Sequence, residues 1–344
     1  ANELNMQSKH SIEKQTAWNV DCFTTVSDIT ANECRELLDK VVDVVLPNGF
    51  EDDFVPKGSA FTAKRKRARA EMLRVANCLT GDSFGEDTLI VSTSGRYEFR
   101  NKGIDVFIDA MNRLRFDERL NKKVVAFVDV PAWVGSARED LAERLNASPN
   151  TVFDTPLPCP MLTHWLHNME HANVLTMLRA LDFANNKQDK VKIIFVPCYL
   201  NGNDGIFNMP YYDLILGNDI CVYPSYYEPW GYTPLEAVAF SIPCVTTDLA
   251  GFGIWAQQVL EADKAENNLS NGVKVVHRTD YNYHEVADEI KDAVANYALL
   301  PKTAVTKARE KAKSLSKKAL WKKFIAYYNE AYRMALTKTE ERTK

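Results

Sequence analysis

Two segments of the chain carry the residue types that handle phosphate. The first is Gly95-Arg96-Tyr97-Glu98-Phe99-Arg100-Asn101-Lys102-Gly103. Gly95 permits a sharp turn, and Arg96 and Lys102 project where one phosphate could bridge them, so that together they would clamp a diphosphate. At ~4 Å and an effective dielectric of about 20, each such contact is worth on the order of 4 kcal/mol before desolvation. The competing reading is a solvated loop in which Arg96 pairs with Glu98.

The second segment runs from Pro224 to Glu236, Pro-Ser-Tyr-Tyr-Glu-Pro-Trp-Gly-Tyr-Thr-Pro-Leu-Glu. Thr233 followed by Pro234 predicts a helix start, with threonine as the cap and proline at the first helical position. The amides of Gly231, Tyr232 and Thr233 then cluster at a helix N-terminus, a cradle for phosphate. Glu236 stands three residues after Thr233, so a capping box accounts for it without a ligand. Glu228 lies in an aromatic, proline-rich loop rather than on a helix face, a position that solubility does not explain.

The elements around these segments alternate. Strands are expected at 20–27, 41–46, 88–94, 123–130, 191–197, 219–223 and 243–247, with helices at 58–79, 103–114, 162–184, 211–216 and 234–240. A helix also starts at Ser27 or Asp28, and Pro47-Asn48-Gly49 is a turn. Such alternation predicts an α/β fold with a doubly wound parallel sheet, helices on both faces, and ligands beyond the carboxyl ends of the strands. Residues 131–161, with five prolines and no clear period, read as an excursion outside the sheet. Segments 284–299, 302–318 and 320–337 read as helices. The expected division is 1–50, 51–283 and 284–344.

The chain has 344 residues, 46% hydrophobic and 26% charged, which excludes disordered and collagen-like classes. Seven cysteines, far apart and without a C-x-x-C pair, argue for free thiols. No apolar run approaches the ~18 residues of a membrane span, and a cytoplasmic location is expected. Net charge is −4, but residues 301–344 alone carry 13 Lys/Arg against 4 Asp/Glu. That basic stretch reads either as a solvated helix or as an effector site. The basic run Lys64-Arg65-Lys66-Arg67-Ala68-Arg69 lacks interleaved aromatics and reads as a solvated face rather than a nucleic-acid surface. His164, His167 and His171 would share one helix face, but no Asp or Cys completes a recognised zinc spacing.

Glu228 and Glu236 form the E-x7-E pattern of retaining glycosyltransferases with two facing Rossmann-like domains, the GT-B fold. The run Tyr223 to Glu236, followed by Thr246-Thr247-Asp248-Leu249-Ala250-Gly251-Phe252-Gly253, resembles the glycogen synthase family of the animal and fungal type. So do Gly95-Arg96-Tyr97-Glu98-Phe99, Asn101-Lys102-Gly103, Phe23-Thr24-Thr25-Val26-Ser27 with Ile29-Thr30, and Pro47-Asn48-Gly49. The resemblance extends from about residue 10 to about residue 335. It implies transfer of glucose from UDP-glucose, or ADP-glucose, to the non-reducing end of an α-1,4-glucan with retention of configuration. It also implies that Arg96 and Lys102 hold the diphosphate and that the amides of Gly231, Tyr232 and Thr233 hold its distal part. Glu228 would contact the glucose near the reacting carbon and Glu236 the ribose, and the chemistry needs no cofactor or metal. Tyr199, in the loop after strand 191–197, is a candidate for base stacking, with ordinary packing as the alternative.

The chain also departs from that pattern. It has no Gly-Gly pair, begins at Ala1, and shows two strands before Pro47, so it reads as the C-terminal portion of a longer protein whose N-terminal acceptor domain is missing. On that reading it binds the sugar nucleotide but is inactive alone. Lys9 and Lys14 stand where the family carries arginines, and a lysine loses the bidentate fork. The late helix, Lys307 to Lys318, is mostly lysine where the family places an arginine cluster for glucose 6-phosphate. The 131–161 excursion is shorter than the insertion used for assembly, leaving a homo-oligomer open. Two other readings stand beside the first: a GT-B glycosyltransferase with another acceptor, and a non-catalytic nucleotide- or glucan-binding module.

Overall fold

The structure, a computed structural model, describes residues 2–148 and 151–344. At the N-terminus, α1 (Gln7–Asn19) and α2 (Asp28–Leu38) flank a parallel pair, β1 (Thr24–Thr25) and β2 (Val44–Val45). Ser27 caps α2: its hydroxyl accepts from the Thr30 amide, while the Thr30 side chain accepts from the Ser27 amide. A long helix follows, α3 (Gly58–Thr80).

The main body then alternates as β3 (Leu89–Ser94), α4 (Ile104–Leu114), β4 (Val124–Asp129), β5 (Val134–Ala137), α5 (Glu139–Asn146), β6 (His164–Leu166), α6 (Asn173–Ala180) and β7 (Val191–Val196). After α7 (Tyr211–Leu214) come β8 (Ile220–Val222), α8 (Tyr232–Ala239), β9 (Cys244–Thr247), α9 (Gly251–Ala262) and β10 (Val273–Val276). Three helices close the chain: α10 (Tyr283–Ala298), α11 (Lys302–Ser316) and α12 (Trp321–Thr343).

The central sheet has six parallel strands in the order β7-β4-β3-β8-β9-β10. Renumbered from β3, this is the 3-2-1-4-5-6 order of dinucleotide-binding sheets, so the direction of winding reverses between β3 and β8. Strands β3, β4 and β7 read Leu-Ile-Val-Ser-Thr-Ser, Val-Val-Ala-Phe-Val-Asp and Val-Lys-Ile-Ile-Phe-Val and are buried almost throughout, as a sheet covered on both faces requires. On one face pack α4, α6 and α10 through Phe107, Leu178 and Ile290. On the other pack α3, α8 and α11 through Met72, Leu235 and Leu315.

The expected helix 162–184 is not one helix. Residues 164–166 form β6, antiparallel to β5, and α6 begins only at Asn173. The excursion at 131–161 holds β5 and α5 in addition to loop. The three histidines therefore do not share a helix face. His164 is buried, its Nε2 2.8 Å from the Asp204 carbonyl and its Nδ1 2.9 Å from the Thr163 hydroxyl. It lies within ligand distance of Cys198 and Asp204, but the Asp204 carboxylate already accepts from the amides of Ile206, Phe207 and Asn208. His167 is exposed and packs against Trp133.

The basic run on α3 is a solvated face only in part: Lys64, Lys66 and Arg67 are exposed, whereas Arg65 and Arg69 are half-buried. Arg65 and Arg69 each bond the Asp219 carboxylate at 2.7 Å, and Arg65 also donates to the carbonyls of Leu216 and Asn218 at 2.6 Å. These guanidiniums clamp α3 to the entry of β8. In the late basic stretch the Arg309 guanidinium is buried, which lowers its pKa to about 10, and Nη1 donates to the Asn218 carbonyl at 3.3 Å. Lys317 and Lys318 pair with Asp52 and Asp263.

Candidate active site

The loops that follow β3 and β8 meet where the winding reverses, the position at which doubly wound sheets bind ligands. Their backbones are joined: the Tyr226 amide donates to the Asn101 carbonyl at 2.7 Å. Gly103, with φ +66°, lets them approach, because a Cβ there would overlap the Pro224 carbonyl. The loop after β9 closes the third side. The Glu228 amide donates to the Leu249 carbonyl and the Gly251 amide to the Glu228 carbonyl, both at 3.1 Å.

This backbone frame fixes Glu228, and its carboxylate forms a partly buried ion pair with Lys102. Two residues 126 positions apart in the chain are thereby brought into contact. Beside them α8 begins. Its N-cap is Gly231, with φ +108°, two residues before the expected cap at Thr233, and Pro234 sits at the third helical position rather than the first. Glycine tolerates the left-handed conformation, and proline at that position gives up an amide that has no partner in the first turn. No side chain caps α8. The amides of Gly231, Tyr232 and Thr233 therefore remain open to an anion.

The capping box is also absent. Glu236 instead accepts a 2.7 Å hydrogen bond from the Tyr212 hydroxyl, and burial raises its pKa. Tyr212 was not singled out from the sequence; its position beside the switch point depends on how α7 is placed. Tyr227, in the same loop as Glu228, donates at 2.5 Å to Glu33 of α2 and ties the N-terminal segment to the site.

Arg96 takes the competing arrangement. Its side chain is 77% exposed and pairs with Glu98 at 3.1 Å, while Glu98 also accepts from Asn101 at 2.6 Å. It stands on the lip of the crevice, in the loop that carries Lys102. Tyr199 is 76% exposed. It makes no side-chain contact with the cluster among the described residues. Lys9 and Lys14 pair with Glu13 and Asp39.

At the carboxyl end of β4, next to Ser94 in register, Asp129 is buried and its Oδ1 has no partner among the described residues. Burial alone raises its pKa to about 7. The neighbouring Tyr211 hydroxyl bonds Ser94 at 2.7 Å.

Solved structures show the same class of fold. The chain aligns with Anabaena HepE, solved in complex with UDP and glucose, at 13% identity and a TM-score of 0.54, over 97% of this chain and 68% of that one. It aligns with the catalytic domain of Arabidopsis thaliana starch synthase IV, bound to ADP and acarbose, at 13% identity and a TM-score of 0.51, over 92% and 56% of the two chains. The architecture they share with this chain is an α/β fold of GT-B type. The match to the glycogen synthase family covers residues 1–145 and 151–342, and the chain belongs to that family. It is 28% identical to glycogen [starch] synthase isoform 2 of Saccharomyces cerevisiae over 98% of this chain and 56% of the relative. It is likewise 29% identical to the Neurospora crassa glycogen [starch] synthase over 98% and 54%, and 28% to the human liver protein over 98% and 54%. The chain thus spans about half the length of these relatives. No helix is long and apolar enough to cross a membrane among the described residues.

Proposed function

We propose that this chain supplies the donor-binding half of a glycogen synthase, transferring glucose from UDP-glucose or ADP-glucose to the non-reducing end of an α-1,4-glucan with retention of configuration. The observation that carries the proposal is the Lys102–Glu228 pair set beside the open amides of α8 at the reversal of winding.

On this reading the donor diphosphate displaces Glu228 from Lys102 and takes its place. The β-phosphate then lies against the amides of Gly231, Tyr232 and Thr233, with Arg96 swinging from Glu98 to the second phosphate. Negative charge grows on the β-phosphate as the glycosidic bond to UDP breaks. Fixed cations and helix amides stabilise it without reorganising, and the proposed chemistry uses no metal. Glu228, freed from Lys102, faces the sugar and stabilises positive charge at the anomeric carbon as the acceptor hydroxyl enters on the leaving-group side and passes its proton to the departing β-phosphate oxygen. Glu236, held by Tyr212, meets the ribose hydroxyls.

The test is calorimetric titration of the 344-residue chain with UDP and ADP, together with incorporation of labelled glucose into glycogen. Nucleotide binding weakened by Arg96→Ala supports the clamp. Unchanged affinity in that variant removes Arg96 from it. Nucleotide or glucan binding without any transfer by the longer parent protein would favour the non-catalytic module.

A further inference from the structure

His164, which does not share a helix face with the other two histidines, meets a different set of partners. It opens β6, Cys198 follows β7 directly after Pro197, and Asp204 lies in the loop between β7 and α7. A ring nitrogen of His164, the Sγ of Cys198 and a carboxylate oxygen of Asp204 all lie within 4.8 Å of one another. Imidazole, thiolate and carboxylate are the ligand types of zinc. Bonds of ~2.0–2.3 Å in a tetrahedron set ligand atoms roughly 3.4–3.6 Å apart, so side-chain rotations of about an ångström close the set.

The surroundings orient these groups as an outer shell does. Each ring nitrogen of His164 has a partner, with the Asp204 carbonyl 2.8 Å from Nε2 and the Thr163 hydroxyl 2.9 Å from Nδ1. Whichever nitrogen takes a metal, the other keeps a bond that fixes the ring. The Thr163 hydroxyl, released from Nδ1, still has the Phe195 carbonyl at 3.3 Å. Amides of Ile206 and Phe207 donate to Asp204 Oδ1 at 3.0 and 2.7 Å, and that of Asn208 to Oδ2 at 2.9 Å. These bonds fix the carboxylate plane and leave Oδ2 with an unused lone pair. His164 and Cys198 are buried and Asp204 is half-buried, so an ion and a water that completes its shell enter from the Asp204 side. As the metal binds, the thiol proton leaves to solvent; thiolate and carboxylate then cancel the double charge, and no net charge is buried. We propose that His164, Cys198 and Asp204 bind one zinc ion. The ion takes no part in glucosyl transfer; it pins the loop 197–210 that leads to α7, whose Tyr212 holds Glu236.

The experiment titrates the chelator-treated 344-residue chain, kept reduced, with Co²⁺ as a spectroscopic substitute for Zn²⁺. The expected result is a thiolate-to-cobalt charge-transfer band that saturates at one equivalent and is bleached by Zn²⁺, with a zinc-dependent rise in melting temperature. Cys198→Ser should lose the band and bind Zn²⁺ at least about tenfold more weakly, while Cys159→Ser, at the exposed cysteine, keeps both. Asp204→Asn retains an oxygen for the amides and should also weaken Zn²⁺ at least about tenfold, which keeps the test open if Cys198→Ser fails to fold. The proposal is overturned if the wild-type chain shows no cobalt–thiolate band, if Cys198→Ser retains it, if Cys159→Ser loses it, or if Asp204→Asn binds Zn²⁺ as tightly as wild type.

Discussion

At the residue scale the proposed chemistry turns on one exchange of partners. Lys102 holds Glu228, and on the proposed reading the donor diphosphate replaces it as the better anion because it carries more charge and would also meet the amides of α8. In a protein that joins this chain to an acceptor-binding domain, Glu228→Gln is expected to cut glucosyl incorporation into glycogen by at least about a hundredfold, the range for removing a group that acts on the transition state. A second prediction concerns Asp129, whose burial raises its pKa from 3.8 to about 7. A carboxyl with a raised folded-state value binds more protons folded than unfolded, so stability falls as pH rises from about 4 to about 7 and stays lowered above that. Asp129→Asn should therefore raise the melting temperature at pH 8, by up to about 4 kcal/mol in stability, with the gain vanishing near pH 4. An equal shift at both pH values would assign the effect to packing. The identities of Glu228, Lys102 and the glycine-led amides were legible in the sequence because loop position and residue type announce them. That Glu228 and Lys102 touch was not, since their contact is set by the sheet and not by local spacing. Arg96 showed the opposite limit: both its partners were nameable, and only coordinates showed Glu98 holding it.

At the element scale, a glycine beside the crevice and an ion cluster at the opposite end of β8 hold the frame. Gly103→Ala would drive a Cβ into the Pro224 carbonyl at a positive φ and should cost roughly 2–4 kcal/mol in denaturant unfolding, with nucleotide binding weakened alongside. Arg69→Ala removes one of two guanidiniums from the buried Asp219 and leaves charge poorly compensated. A loss of about 3–5 kcal/mol is expected, and a loss under about 0.5 would mean that Arg65 suffices. The five strands from β3 to β9 that follow the alternating rhythm were readable because short stretches rich in apolar and β-branched residues recur between helical segments, as a doubly covered parallel sheet requires. β10 was not, because Val273-Lys274-Val275-Val276 is short and carries a lysine at the sheet edge. The segment 162–184 misled because its helical spacing of apolar residues is also met by a three-residue strand, a turn and a short helix.

At the scale of the whole molecule, both chain ends converge beside the site. Helix α12 returns to the N-terminal pair: Lys338 bonds Asp43 at 2.9 Å, Arg342 bonds Asp21 at 2.6 Å, and Leu320 bridges Phe50. The Tyr227–Glu33 bond continues that contact into the donor loop. Glu33→Ala is thus expected to loosen the loop, seen as faster amide exchange at 226–231. The account as a whole stands on where a diphosphate binds. The most direct measurement is calorimetric comparison of UDP with uridine on the wild-type chain and on Lys102→Ala. The account predicts that UDP binds at least about tenfold more tightly than uridine and that Lys102→Ala abolishes most of that difference, a loss of about 1.4 kcal/mol or more. Equal affinities for the two ligands, or a Lys102→Ala chain that still prefers UDP to the same degree, would contradict it.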